Sequence, residues 1–394
     1  MIAGGYAGAV ANSRILALDG VRGIAAFIVL LHHASLVARG PLQSSNPELW
    51  TALETGPAKL LLLGTEAVLV FFVLSGLVVA LPAFRAGFSW TGYAASRLAR
   101  LYLPVWATLM FAALLVVLLP RDTSVVSDSW LTERSATEFE WDSFLHQLTL
   151  SGATYPLSNP LWSLRWELLF SVLLPVFVAI ALLLRRHIVL ATLLTVALSI
   201  LGRVIDESWM IYLPAFLVGT LTAVRLDDVQ RWGEAVRARR PWLLPVLAVA
   251  SIALLATHWW YRAPWFQALL PWRSSDGNHL LEQVLFGAAL LGALGVIVLA
   301  ITSPGTARLL ESRLAQWLGK VSFSLYLVHV PILATWAFLL GDANWPWAVA
   351  AGLVTSLVAG WAMWRFVEKP SHRFARWIGG RARAAEAAVT GAGR

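Results

Sequence analysis

The chain contains no cysteine, which excludes disulfides, thiolate metal sites and a cysteine nucleophile. Charge is scarce: only 13% of its 394 residues are Asp, Glu, Lys or Arg, against about a quarter in an ordinary soluble domain. No Walker-type phosphate loop, dinucleotide-binding glycine fingerprint or His-x-x-x-His zinc pattern occurs in it. Alternating ten-residue strands are missing too, which disfavours an outer-membrane barrel. What is in excess is apolar surface. Hydrophobic residues make up 58% of the chain, more than one water-soluble core hides, so soluble, disordered and fibrous readings fall away. The 21 Trp fit a membrane protein, where indoles gather at the two water interfaces.

Apolar runs long enough to cross a hydrocarbon layer of about 30 Å cover residues 16–38, 60–81, 99–120, 161–184, 188–202, 209–224, 242–258, 282–303, 321–340 and 347–367. The expected fold is all-α: a polytopic transmembrane helix bundle of about ten spans. With the N-terminus inside, 21 of the 30 Lys and Arg fall on inner loops and tails, 7 fall on outer loops, and Arg22 and Arg165 lie within spans. That bias places both termini in the cytoplasm. It explains the net charge of +8 without nucleic acid, and points to a multi-pass protein of the cell inner (cytoplasmic) membrane in contact with membrane lipids. Residues 1–370 read as one transmembrane domain, and 371–394 as a basic cytoplasmic tail expected to be flexible. Residues 1–13 carry no charged side chain and do not read as a cleavable leader. The outer loop 121–160 is too short for a separate domain.

Ionisable groups at membrane depth cost several kcal/mol unless paired or facing a cavity, so each is a functional candidate. The first span carries Asp19, Arg22, His32 and His33. Arg22 and His33 are eleven residues apart, on one helix face and about 16 Å apart along its axis. Asp19 is placed to pair with Arg22 across one turn. His33 lies about one and a half turns below the outer surface. Glu167, near the start of the run at 161, reads at the same depth. If those helices adjoin, the carboxylate would orient the imidazole and stabilise its cation while His33 serves as a base; otherwise the pair staples two helices. Arg97 and Arg100 share a face at the inner end of the third span. They are either phosphate forks or ordinary inner-face anchors.

Other polar residues are less decisive. Glu66 is a cavity acid or an interfacial residue. Ser75, beside Gly76, points to close helix packing rather than a nucleophile. Ser322, Ser324, Tyr326 and His329 form a stripe that reads as helix–helix hydrogen bonding or a cavity wall. His258, Trp259, Trp260, Tyr261 and Trp265 read as an outer aromatic belt, with sugar stacking as the alternative.

Taken in order, several segments resemble the acyltransferase 3 family of integral-membrane acyltransferases. They are Leu18-Asp19-Gly20-Val21-Arg22-Gly23-Ile24-Ala25-Ala26 with His33, then Phe71–Gly76, then Arg97-x-x-Arg100 with Pro104. Next come Leu161-Trp162-Ser163-Leu164-Arg165-Trp166-Glu167, the stretch from Gly319 to His329, and Glu368-Lys369-Pro370. The resemblance implies an enzyme that moves an acyl group, commonly acetyl, from acyl-CoA to a hydroxyl, often of a carbohydrate or other glycan. It implies Arg22 and His33 as the Arg-x10-His signature, Arg97 and Arg100 as the acyl-CoA-binding pair, and Glu167 as the acid of a Trp-Ser-Leu-x-x-Glu motif. It also implies a stand-alone form without an appended hydrolase-like domain. Gly64-Thr65-Glu66 stands where many relatives read Gly-Val-Asp. The expected donor is acyl-CoA, acetyl-CoA first, with no metal and no nucleic-acid partner. The competing reading is a secondary transporter or flippase for a glycan or lipid, which intramembrane charge also fits.

Overall fold

The computed structural model describes residues 15–268 and 275–391. Arg14, Arg273 and Arg394 of the charge distribution lie outside the described residues. Among the described residues the secondary structure is helical, with no strand. The helices that build the bundle are α1 (Leu16–Ser45), α2 (Gly64–Ala80), α3 (Trp90–Leu118), α4 (Ser129–Arg134), α5 (Leu161–Val172), α6 (Leu174–Leu184) and α7 (Ile188–Val204). There follow α8 (Ser208–Val224), α9 (Leu226–Arg239), α10 (Leu243–Trp260), α11 (Ser275–Thr302), α12 (Arg313–Leu340), α13 (Trp345–Met363) and α14 (Lys369–Thr390).

Local chemistry sets several ends. Ser89 caps α3 by accepting from the Gly92 N–H, and Ser312 caps α12 by accepting from Ala315, each satisfying an N–H the helix leaves unpaired. Gly341 stops α12 at φ +66, a conformation glycine adopts without a Cβ penalty.

Helix α12 is the axis of the bundle and its most buried span. It runs parallel to α1, because Asp19 and Arg22 meet Gly319 and Ser322 at one end while His33 meets His329 further along. The contact is close enough to need glycine. A Cβ on Gly23 would stand 2.4 Å from the Gly319 nitrogen, and one on Gly319 would stand 2.3 Å from the Asp19 carbonyl oxygen. Helices α2 and α8 meet in the same way at Gly76 and Gly219. Small residues at such crossings let dispersion and weak backbone contacts act at short range, which is how helices associate in lipid.

Among the described residues, eight helical stretches are long and apolar enough to cross a membrane, and nine if α8 and α9, bent by 73° at their junction, form one span. The sequence reads about ten. The difference arises where apolar runs and helices do not coincide. The run 161–184 breaks at Leu173 into α5 and α6, and a 3-10 turn at Arg185–His187 carries α6 into α7, so that Leu174–Val204 reads as one stretch.

Two further departures bear on the site. The segment before α5 is drawn into the bundle: Tyr155, Leu157 and Ser158 are buried, and Ser158 donates to the Leu327 carbonyl at 3.0 Å. Irregular backbone is tolerated at that depth because protein surrounds it. The stretch expected to be a flexible tail is helical over its described part. Ser371, Ala375 and Gly379 form a buried face of α14 at four-residue spacing. Gly379 lies against Gly92 of α3, and Ser89 and Thr91 donate to Glu386. The Arg-rich composition concealed that face.

Candidate active site

The polar side chains collect in two layers joined by a seam between α1, α5 and α12. The first layer is built from charged groups. Arg22 donates through Nε to Ser322 Oγ at 3.0 Å, and through Nη2 to Asp19 at 2.9 Å and to the Gly319 carbonyl at 3.1 Å. Arg97 donates to Glu167 at 2.5 Å and to Ser171 Oγ at 3.0 Å. Arg100 is exposed and makes no direct hydrogen bond among the described residues, while lying within electrostatic range of Arg97, Arg22, Glu368 and Glu167. Buried Glu368 accepts from Ser324 at 2.6 Å and is neighboured by His372 at 3.8 Å. Three guanidinium groups and three carboxylates thus converge, with Arg100 the one left without a direct partner among the described residues.

The second layer is built from imidazoles. His33 Nδ1 lies 2.9 Å from the Val29 carbonyl oxygen and 3.1 Å from His329 Nε2. His329 Nδ1 lies 3.0 Å from the Leu325 carbonyl oxygen. A carbonyl oxygen only accepts, so each Nδ1 carries its ring's proton. His329 Nε2 is then an acceptor for His33, and among the described residues His33 Nε2 is left with its lone pair free. His32, at the preceding position of α1, uses its own Nδ1 on the Leu62 carbonyl at 3.0 Å. Trp130 of α4 packs on His33 with ring centroids 5.2 Å apart.

The seam between the layers is polar as well. Ser163 Oγ and Tyr326 Oη are 2.7 Å apart, and the Tyr326 ring is 5.8 Å from His329. Arg22 and His33 therefore sit at opposite ends of one helix face, as their spacing predicts.

Glu167 does not meet His33. Its carboxylate is taken by Arg97 and by Ser75 at 3.2 Å, in the charged layer. The reason is where α5 starts. With Ser158 and Ser163 bonded to α12 inside the bundle, Glu167 lies another turn from the imidazoles, at the depth of Arg97. A surface-to-surface reading of the run 161–184 places it too near the outer face. The residue that does bond His33 is His329, from the stripe read as helix–helix hydrogen bonding or a cavity wall. Parallel placement of the stretches 19–33 and 319–329 is the sequence signal that finds it.

Glu66 is a buried acid rather than an interfacial one, 1% exposed. It accepts from Trp259 Nε1 at 3.0 Å. Lys59, also 1% exposed, stands over the Trp259 ring at 3.5 Å and donates to Glu54 at 2.7 Å. Trp259 is thus tied into the protein, whereas the belt reading placed it at the lipid interface.

A family model described as an acyltransferase domain, Acyl_transf_3, matches residues 15–365. The chain belongs to the acyltransferase 3 family. It is a multi-pass membrane protein and an acyltransferase. Arg22, His33, Arg97, Arg100, Glu167 and His329 all fall within the matched residues. The acyltransferase is also similar to the O-acetyltransferase PaAT-1 of Phomopsis amygdali, 26% identical over 381 aligned positions, covering 82% of this chain and 73% of that relative. No solved structure matches.

Proposed function

We propose that this acyltransferase carries an acyl group, acetyl in the first instance, from acyl-CoA to a hydroxyl of a carbohydrate or glycosylated acceptor. The observation that carries the reading is the fixed tautomer of His33, with Nδ1 bonded to Val29 and His329 and Nε2 open. A neutral imidazole with a free nitrogen is a general base of the kind acyl transfer needs. The name of the relative PaAT-1 supports acetyl as the group and oxygen as its destination.

The donor enters from the cytoplasm, the side given by the distribution of Lys and Arg, in the cell inner membrane. Arg100 takes the CoA phosphates first, and Arg97 and Arg22 complete a fork-rich cradle. The pantetheine arm follows the seam past Ser163 and Tyr326 and spans the roughly 16 Å between the depths of Arg22 and His33. At the far end His33 Nε2 removes the proton from the acceptor hydroxyl as its oxygen attacks the thioester carbonyl. The tetrahedral intermediate collapses with cleavage of the C–S bond. The imidazolium returns the proton to the departing CoA sulfur. The thioester is already activated, so the transfer proceeds without a metal. Glu167 orients Arg97.

The test uses purified protein in nanodiscs with radiolabelled acetyl-CoA and a glycan and lipid extract from its source. Acceptor-dependent label transfer is expected from the wild type and not from His33→Ala, with a raised KM for acetyl-CoA in Arg100→Ala. Transfer that persists in His33→Ala removes the base, and CoA-independent movement of a glycan without thioester cleavage favours a transporter.

A further inference from the structure

We infer that Trp130 forms an acceptor subsite: a stacking platform beside His33 for the apolar face of a saturated ring, as in a sugar. The inference rests on His33 being the base and names what holds the other substrate. The surroundings of His33 leave one flank for an acceptor. Val29 and His329 take its Nδ1, and His32 lies edge-on at 5.2 Å. The remaining ring neighbour is the Trp130 indole, 5.2 Å away and tilted by 45°. Both rings are only half-buried. The Trp130 indole N–H makes no hydrogen bond among the described residues, which leaves it for an acceptor oxygen.

The placement of Trp130 is built rather than incidental. Arg39, six residues after His33 on α1, grips Asp128 with two bonds, Nε to Oδ2 at 2.6 Å and Nη2 to Oδ1 at 3.0 Å. The Asp128 side chain is 2% exposed and also accepts from the backbone N–H groups of Trp130 and Leu131 at 2.9 and 3.3 Å. Leu131 is buried with Leu30, Ala34 and Val37, and the Ser127 N–H donates to Asp342 at 2.8 Å. One helix therefore carries both the base and the arginine that fixes the indole beside it. Bidentate arginine–carboxylate pairs hold geometry as well as charge. Rigid aromatic faces flanked by a polar group recognise ligands at little entropic cost. A ring seated on Trp130 presents its hydroxyls along the flank where His33 Nε2 is open.

The test compares two acceptors with the same tail, octyl β-D-glucopyranoside and 1-octanol, at saturating acetyl-CoA in nanodiscs. Acetyl transfer is followed for the wild type, Trp130→Ala, Trp130→Phe and Arg39→Lys, together with acceptor-free CoA release by water. The wild type is expected to prefer the glucoside. Trp130→Ala raises the glucoside KM about tenfold, the equivalent of one lost aromatic contact, and lowers the ratio of glucoside to octanol transfer by a similar factor. Trp130→Phe retains most of the preference, and Arg39→Lys, which keeps charge but loses the fork, falls between. A wild type indifferent to the sugar ring overturns the subsite. So does a preference unaltered in Trp130→Ala, or a Trp130→Ala loss equal for both acceptors and for acceptor-free release. Failure of the underlying reading shows separately, as transfer that persists in His33→Ala.

Discussion

His329 Nε2 lies 3.1 Å from His33 Nδ1, and both rings have their Nδ1 protons anchored on helix carbonyls, Leu325 and Val29. Two imidazoles in this order define which nitrogen of His33 is basic. An acid in the His329 position would do so with a charge; a neutral ring does so by geometry alone, which suits a site that must stay uncharged until the acceptor proton arrives.

The first prediction concerns this pair. His33→Ala should lower kcat by roughly 10²–10⁴-fold, the usual worth of a general base. His329→Ala should lower kcat by about 10–100-fold and leave the KM for acetyl-CoA unchanged, since the ring acts through His33. His329→Gln keeps an acceptor near the same place and should recover part of the loss. Steady-state kinetics on folded protein decides it: an unchanged kcat in His329→Ala would reduce the contact to packing.

Arg97 and Glu167 form a partly buried pair, with side chains 14% and 24% exposed. Glu167→Ala leaves the guanidinium without its carboxylate and should destabilise the protein by about 1–3 kcal/mol. Arg97→Lys cannot reproduce the simultaneous bonds to Glu167 and Ser171. It should raise the acetyl-CoA KM by about tenfold with a smaller effect on kcat. Acetyl-CoA titrations of both variants check this, and an effect confined to kcat would place the pair in the chemical step instead.

The α1–α12 contact admits no added methyl. Gly319→Ala brings a Cβ to 2.3 Å from the Asp19 carbonyl oxygen and should cost at least about 1–3 kcal/mol as the helices move apart. The same movement withdraws Arg22 from Ser322 and His33 from His329, so activity should fall with thermal stability. Gly380→Ala, with open space around it, is the control expected to change neither. Equal melting points for the two variants would show that the bundle relaxes freely.

Burial holds the Lys59 ammonium below its ordinary 10.5, opposed by its bond to Glu54 and the nearby Glu66, with Arg262 lowering it further. The folded chain therefore releases this proton at a lower pH than the unfolded chain. Between the lowered value and 10.5 the unfolded state binds more protons, so this group's contribution to stability rises with pH across that window. Lys59→Met should abolish that slope. Denaturation midpoints of both proteins through the alkaline range test it, and parallel curves would count against the linkage.

Much of the architecture was legible in the residues because lipid imposes so few solutions. Long apolar runs must become helices, since only internal hydrogen bonding satisfies the backbone there. The paired placement of Arg22 and His33 followed from the helical repeat, because both lie on one uninterrupted helix, α1. Their identities and order also marked the family. Glu167 and His329 show where such reading stops. Their depths depend on how α5 begins and which helix lies beside α1, and neither is encoded in local spacing. Trp130 was not legible at all. A six-residue helix in a long loop carries no periodic signal, and its meaning comes from Arg39 reaching Asp128 across 89 positions.

By itself, then, the sequence determined a helical membrane bundle, the face shared by Arg22 and His33, and the arginine pair at 97 and 100. Those features depend on hydropathy and on a period of 3.6 residues, both local properties of the chain. Only the tertiary structure decided that Glu167 serves Arg97, that His329 sets the tautomer of His33, and that the tail is helical and docked. These outcomes turn on backbone approach at Gly23, Gly319, Gly92 and Gly379 and on a loop drawn into the protein. Contacts between segments hundreds of residues apart are set by packing, which no single stretch of sequence contains.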